Sequence, residues 1–190
     1  MANICVYCSS STRIDNSYTD VAETLGRKLA ERGHALVYGG GDIGLMGVLA
    51  RTVQSEDGTV VGVIPEKLKE KENIAYDVAD ELIVTDTMSE RKRIMYLRAD
   101  AFIVLPGGFG TIEEFMEVLT LKQLSYHVRP IALVNTNGFF DPLLGFFQQL
   151  YDDAFTRIRC EELVHVTRDP QAALTHVERH APSPASKTME

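Results

Sequence analysis

The chain has 190 residues, 45% of them hydrophobic and 24% charged, the composition of one globular domain and not of a disordered chain. Three cysteines exclude a disulfide scaffold, and no apolar run approaches the roughly 20 residues of a membrane-spanning helix. The formal net charge of −8 argues against nonspecific nucleic-acid binding, which needs a basic footprint, yet it says nothing against a local site for a small anion.

The opening Met1-Ala2-Asn3-Ile4-Cys5-Val6-Tyr7 has no basic leader and no cleavage pattern. It reads as a first strand, Ile4 to Tyr7, and the chain as cytoplasmic. Tyr18 to Arg32 reads as a helix, with Val21, Leu25 and Leu29 recurring at four and Gly33 ending it. Ala35 to Tyr38 is a second strand, Gly44 to Ser55 a small-residue helix, and Val60 to Ile64 a third strand stopped by Pro65. Lys67 to Asp77 is charged and irregular and reads as a loop with a helical turn. Glu81 to Val84 is a strand, and Ser89 to Arg98 a helix with Ile94 and Leu97 inward. Ala101 to Leu105 is a strand, and Thr111 to Leu124 a helix with Phe115, Val118 and Leu119 on one side. Ile131 to Val134, Phe140 to Tyr151, Leu163 to Val166 and Pro170 to Val177 complete the alternation as strand, helix, strand and helix. From Ala181 the Pro/Ser-rich tail reads as disordered.

Such alternation predicts an α/β fold: one parallel sheet with helices on both faces, in a single domain over residues 1–180. Right-handed crossovers then bring every strand-to-helix loop to one end of the sheet, where ligands bind in folds of this kind. Three of those loops carry unusual chemistry. Cys8-Ser9-Ser10-Ser11-Thr12 offers small hydroxyl residues that can approach a phosphate, although hydroxyls are also common in loops and caps. Gly39, Gly41 and Gly44 match G-x-G-x-x-G, whose backbone N–H groups can face an anion at a helix N-terminus. Glu66, past the next strand, stands near the place of a ribose-binding acid, which keeps an NAD reading open, but the motif follows the second strand and not the first. A tight turn explains Gly44 and Gly47 but not the consecutive Gly39, Gly40 and Gly41.

The third loop is Pro106-Gly107-Gly108-Phe109-Gly110-Thr111-Ile112-Glu113-Glu114. Thr111 and Glu114 are spaced as a T-x-x-E capping box, with Thr111 as N-cap. A carboxylate held beside loops built for anions is nevertheless costly and needs a task, so Glu114 is also a candidate to point at substrate. Met88-Ser89-Glu90-Arg91-Lys92-Arg93 opens a helix at the same end of the sheet, where arginine can hold a phosphate by two hydrogen bonds. These three basic residues sit about 100° apart around the helix, and Arg93 is left as a solvated one.

Cys5 and Cys8 form C-x-x-C, but a separation of three on a strand puts the side chains on opposite faces, so two buried cysteines are expected and not a redox or zinc pair. No histidines pair at metal-ligand spacing, and no metal is expected.

Together, P-G-G-x-G-T-x-x-E at Pro106 to Glu114, M-x-x-R-K at Met88 to Lys92, and the glycine loop from Tyr38 to Gly47 resemble the LONELY GUY (LOG) family over residues 2–178. Members of that family are cytokinin riboside 5′-monophosphate phosphoribohydrolases, often labelled lysine decarboxylases. The resemblance implies a Rossmann-like doubly wound sheet, a homodimer with its site near the interface, and no cofactor. It implies hydrolysis of the N-glycosidic bond of a nucleoside 5′-monophosphate, giving free base and ribose 5-phosphate, with N6-prenylated AMP and AMP itself as candidate substrates. By motif position Arg91 and Glu114 are the catalytic pair. Ser9, Ser10, Gly40, Gly41, Met88, Lys92, Gly107, Gly108, Phe109, Gly110, Thr111 and Glu113 are candidate substrate-binding residues, with Glu72 the nearest match to a further ligand-binding glutamate. Ser89 stands where the family often has histidine. Decarboxylase chemistry normally uses pyridoxal phosphate on a lysine, and of the chain's seven lysines only Lys92 falls within the expected site. A non-catalytic nucleotide or molybdenum-cofactor carrier is the alternative, because the same loops would serve a binder.

Overall fold

A computed structural model describes residues 1–72 and 76–181, the side chains of residues 71 and 72 excepted. The expected disordered tail therefore lies, beyond residue 181, outside the described residues. The elements in chain order are β1 (Asn3–Tyr7), α1 (Asn16–Glu31), β2 (Ala35–Tyr38), α2 (Gly44–Ser55), β3 (Val60–Pro65), α3 (Glu66–Glu72), β4 (Glu81–Thr85) and α4 (Met88–Arg98). They continue with β5 (Ala101–Val104), α5 (Phe109–Gln123), β6 (Ile131–Val134), a 3-10 turn (Thr136–Gly138), α6 (Asp141–Asp152), α7 (Cys160–Leu163), β7 (His165–Thr167) and α8 (Pro170–His180).

The strands form one sheet in the order β4-β3-β2-β1-β5-β6-β7, every adjacent pair parallel. The order reverses at β1, with β2 on one side and β5 on the other. This is the doubly wound, Rossmann-like arrangement, and its switch point opens a crevice between the loops after β1 and β5.

Side-chain alternation sorts the core into two layers. Ile4, Val6 and Cys8 face Leu25 and Leu29 of α1, Leu45 and Leu49 of α2, and Leu174 of α8. Cys5 and Tyr7 face Met95 of α4, Phe115 and Val118 of α5, and Phe147 of α6. The two cysteines of the C-x-x-C thus lie on opposite faces of the sheet, as their spacing requires. Burial pushes both thiols well above the ordinary range, so they stay protonated and inert.

Three expectations about local structure are corrected. The helical turn expected in the charged segment after β3 is a longer helix, Glu66–Glu72, starting one residue before the segment, because a run of Glu, Lys and Leu has good helix propensity even without an apolar stripe. Leu97 is 60% exposed and Ile94 only half-buried, while Arg91 and Met95 are the buried residues of α4. The inward stripe at four therefore runs through an arginine, which a hydrophobicity reading places outside. The last strand begins at His165, because Cys160–Leu163 forms a short helical turn of its own.

His127 shows how a polar group is accommodated in the core. It is 5% exposed, with Nε2 2.9 Å from the Val118 carbonyl and Nδ1 accepting from the Arg129 N–H at 3.1 Å. That pattern fits only the neutral Nε2–H tautomer. Burial lowers its pKa to about 4. The unfolded chain takes up a proton near pH 6.5 while the folded chain does not, so stability falls as pH drops from that value towards about 4. Urea unfolding at pH 7 and pH 4.5 should show this loss, and His127→Gln should make the difference between the two pH values smaller.

Candidate active site

The C-terminal ends of β1, β2, β3 and β5 converge on a cavity of about 430 Å³. Main-chain bonds tie its loops together: the Ser9 N–H donates to the Pro106 carbonyl at 3.2 Å, and the Met46 N–H donates to the Ser9 carbonyl at 3.3 Å. Gly44, with φ of +60°, lets the start of α2 close against Ser10, where an added Cβ would lie 2.4 Å from the Ser10 carbonyl carbon.

Two helices point their N-termini at this region, and neither is capped by a side chain. The N-cap of α2 is Ile43 and that of α5 is Gly108. The expected capping box is therefore absent. Because α5 begins at Phe109, Thr111 lies inside its first turn and Glu114 one turn deeper. The T-x-x-E pattern caps instead at Thr87, whose Oγ1 accepts from the Glu90 N–H at 3.1 Å, while Glu90 accepts from the Asp86 N–H. The first-turn N–H groups of α5 are left free for an anion.

Arg91 and Glu114 meet on the cavity wall. Arg91 is 8% exposed and Glu114 7%. Arg91 Nη1 donates to Glu114 Oε1 at 2.8 Å, its Nε donates to the Val63 carbonyl at 3.0 Å, and its Nη2 reaches the Gly39 carbonyl at 3.5 Å. The second oxygen of Glu114 accepts no hydrogen bond among the described residues. Burial raises the Glu114 pKa, and the Arg91 guanidinium offsets this only in part.

Of the residues expected from the sequence, Ser9, Ser10, Gly41, Gly108, Phe109, Gly110 and Thr111 line the cavity together with Arg91 and Glu114. Gly40, Met88, Lys92, Gly107 and Glu113 do not. Gly40 takes φ of +73° behind the wall, and Gly107 lacks a side chain because a Cβ there would lie 2.1 Å from Thr111 Oγ1. Met88 is half-exposed at the head of α4. Lys92 bonds Glu113 and approaches Glu117 at 3.3 Å, clasping α4 to α5 beside the Arg91–Glu114 pair. The bond to Glu113 raises the Lys92 pKa. Glu72 ends α3, and its side chain lies outside the described residues. Glu66, the acid an NAD reading would use, is exposed at the head of α3 and lies off the cavity.

The cavity also takes in Tyr7, Met46, Ile64 and Leu68. Nothing in the sequence sets these apart from core residues, and Leu68 falls in the segment expected to hold only a helical turn.

The Glu114 carboxyl, followed by carbon-13 NMR, should titrate above the usual carboxylate range. In Arg91→Ala, which removes the compensating charge, its midpoint should move higher still.

The family described as possible lysine decarboxylase matches residues 46–177. A cytokinin riboside 5′-monophosphate phosphoribohydrolase of Arabidopsis thaliana is 40% identical over 179 residues, covering 94% of this chain and 84% of its own. One from Oryza sativa subsp. japonica is 46% identical over 152 residues, covering 80% of this chain and 62% of its own. Among solved structures, the Moco carrier protein from Chlamydomonas reinhardtii superposes with a TM-score of 0.72 at 26% identity, covering 94% of this chain and 96% of its own. Among the described residues no lysine lines the cavity, which leaves the decarboxylase description without its usual reactive amine. The glycine loops, the buried Arg91–Glu114 pair and these relatives agree: the chain belongs to the LONELY GUY (LOG) family.

Proposed function

We propose that the protein hydrolyses the N-glycosidic bond of a cytokinin riboside 5′-monophosphate, releasing free base and ribose 5-phosphate, and that AMP is a second substrate. The observation that carries this reading is a buried arginine–carboxylate pair opening on the same cavity as an uncapped helix N-terminus.

The 5′-phosphate sits at the start of α5. Gly108 and Gly110 support this placement, because a Cβ at either would meet no protein atom within 4 Å and neither has a positive φ. Neither backbone strain nor close packing requires glycine there, whereas a ligand approaching the backbone does. With the phosphate at this end, Glu114 stands deeper, towards the sugar. Departure of the base leaves positive charge at C1′, in an oxocarbenium-like transition state. The free oxygen of Glu114 stabilises that charge and takes a proton from the attacking water. The C1′–N bond breaks, a C1′–OH bond forms, and the proton passes to the departing base. Arg91 holds Glu114 in place and opposes the upward push that burial gives its pKa.

The exposed apolar residues Met88 and Phe109 lie at the heads of α4 and α5 beside the site, and Leu97 is exposed further along α4. We place the second copy of a homodimer over them.

A non-catalytic carrier is the second reading, favoured by the likeness to the Moco carrier protein. A pure anion binder gains nothing from a carboxylate beside its phosphate, so Glu114 separates the two. Incubation with isopentenyladenosine 5′-monophosphate and with AMP, followed by chromatography of free base, should show release by the native protein. Glu114→Ala and Arg91→Ala should each reduce it by about 10²-fold or more. Binding of AMP without release of base from either substrate would support the carrier. The phosphate placement has its own test. Gly110→Ala should leave the melting temperature unchanged or raised, since alanine suits a helix better than glycine, while AMP affinity measured by calorimetry falls at least tenfold.

A further inference from the structure

Gly39 follows the last residue of β2 and is buried at the cavity wall. Of the four glycines Gly39, Gly40, Gly44 and Gly47, only Gly40 and Gly44 have positive φ. The backbone at residue 39 would therefore accept any side chain, and the requirement for glycine is one of space. A Cβ at residue 39 would lie 2.1 Å from Arg91 Nη2, 3.3 Å from its Cζ and 3.1 Å from Met46 Sδ. The guanidinium occupies the volume that an alanine methyl would fill.

The surrounding bonds show what this contact fixes. Arg91 Nε is held by the Val63 carbonyl and Nη2 faces the Gly39 carbonyl, leaving Nη1 for Glu114. The ends of β2 and β3 thus hold one side of the guanidinium while α5 meets the other. Arg91 leaves α4, which is clasped to α5 through Lys92, Glu113 and Glu117. With its base fixed by the helix, the guanidinium can yield to a new methyl only by shifting its far end, and that end carries the bond to Glu114.

We propose that Gly39 is a positioning residue of the hydrolysis inferred above, keeping open the space in which Arg91 is held against Glu114. Its main influence passes through Arg91, since the Met46 thioether need give way by only a few tenths of an ångström. This rests on the N-glycosidase reading, and misplacement of a catalytic group by about 1 Å is enough to cost about 10²-fold in rate.

The test is a double-mutant cycle on the full chain with Gly39→Ala, Arg91→Ala and the pair, read by turnover and by melting temperature. Gly39→Ala alone should lower kcat by about 10²-fold with KM changed less than threefold, because the phosphate site at α5 is untouched. It should also lower the melting temperature. In the Arg91→Ala background the guanidinium is gone and only the flexible Met46 thioether stays close, so adding Gly39→Ala should change the residual rate and the melting temperature little. Retention of kcat within twofold in Gly39→Ala would overturn the proposal, as would equal losses in both backgrounds. A native protein that releases no base would refute the hydrolase reading, and with it the rate arm. The melting cycle would still decide the claim that residue 39 acts through Arg91, since coupling there needs no turnover.

Discussion

The structure turns on one ion pair, Arg91 with Glu114, placed where water is scarce. Taking both charges out of water is expensive, and their attraction repays it only when geometry and additional hydrogen bonds are good. The protein meets that condition with main chain: the carbonyl of Val63 and, more loosely, that of Gly39 accept from the guanidinium. Much of the local architecture follows from this. Helices α4 and α5 must lie side by side on one face of the sheet, and β2 and β3 must end at the level that brings their carbonyls to the arginine. The neighbouring bond of Lys92 to Glu113 holds the same two helices in that register. Removing either member of the buried pair would strand the other charge, a loss of about 3–5 kcal/mol in comparable settings.

This cost suits a site that must keep a carboxylate ionised and aimed. Burial pushes the Glu114 pKa up, and the arginine opposes that in part. What results is a carboxyl with one oxygen bound and the other without a hydrogen bond among the described residues, beside a helix N-terminus that favours anions. The helix end and the carboxylate make opposite electrostatic demands, and the α5 turn separates them, with Gly108 and Gly110 at the start and Glu114 one turn in. The proposed reaction sets the phosphate at the start of that turn and C1′ near its end. The order of the motif along the helix is thus the order of the groups along the substrate in the proposed reaction.

The glycines divide by physical cause in a way that the motif pattern alone conceals. Gly40 and Gly44 serve the backbone, since both adopt positive φ. Gly39 and Gly107 serve other side chains, Arg91 and Thr111, which fill the space a Cβ would take. Gly108 and Gly110 have no protein neighbour there. All six look alike as letters, and of them Gly39, Gly108 and Gly110 line the cavity, the last two with nothing packed against the Cβ position.

The strand and helix alternation, the parallel sheet and the gathering of three loops at one end were legible in the sequence, because period and turn residues are local properties. So was the separation of Cys5 from Cys8, which follows from the two-residue repeat of a strand. The motif residues Arg91 and Glu114 could be nominated, but their contact could not. They are 23 positions apart on different helices, and an arginine facing the core contradicts what hydrophobicity suggests for α4. The cap of α5 differs from the expected one for a related reason: T-x-x-E occurs three times, at Thr87, Thr111 and Thr175, and spacing cannot say which copy begins a helix. Lys92, a candidate ligand contact by its motif, bonds Glu113 and approaches Glu117 in the fold. In each case the sequence determined which chemical groups exist and along which element they lie. The tertiary structure alone decided which groups share a low-dielectric space, and therefore which charges pair and which remain free for a substrate.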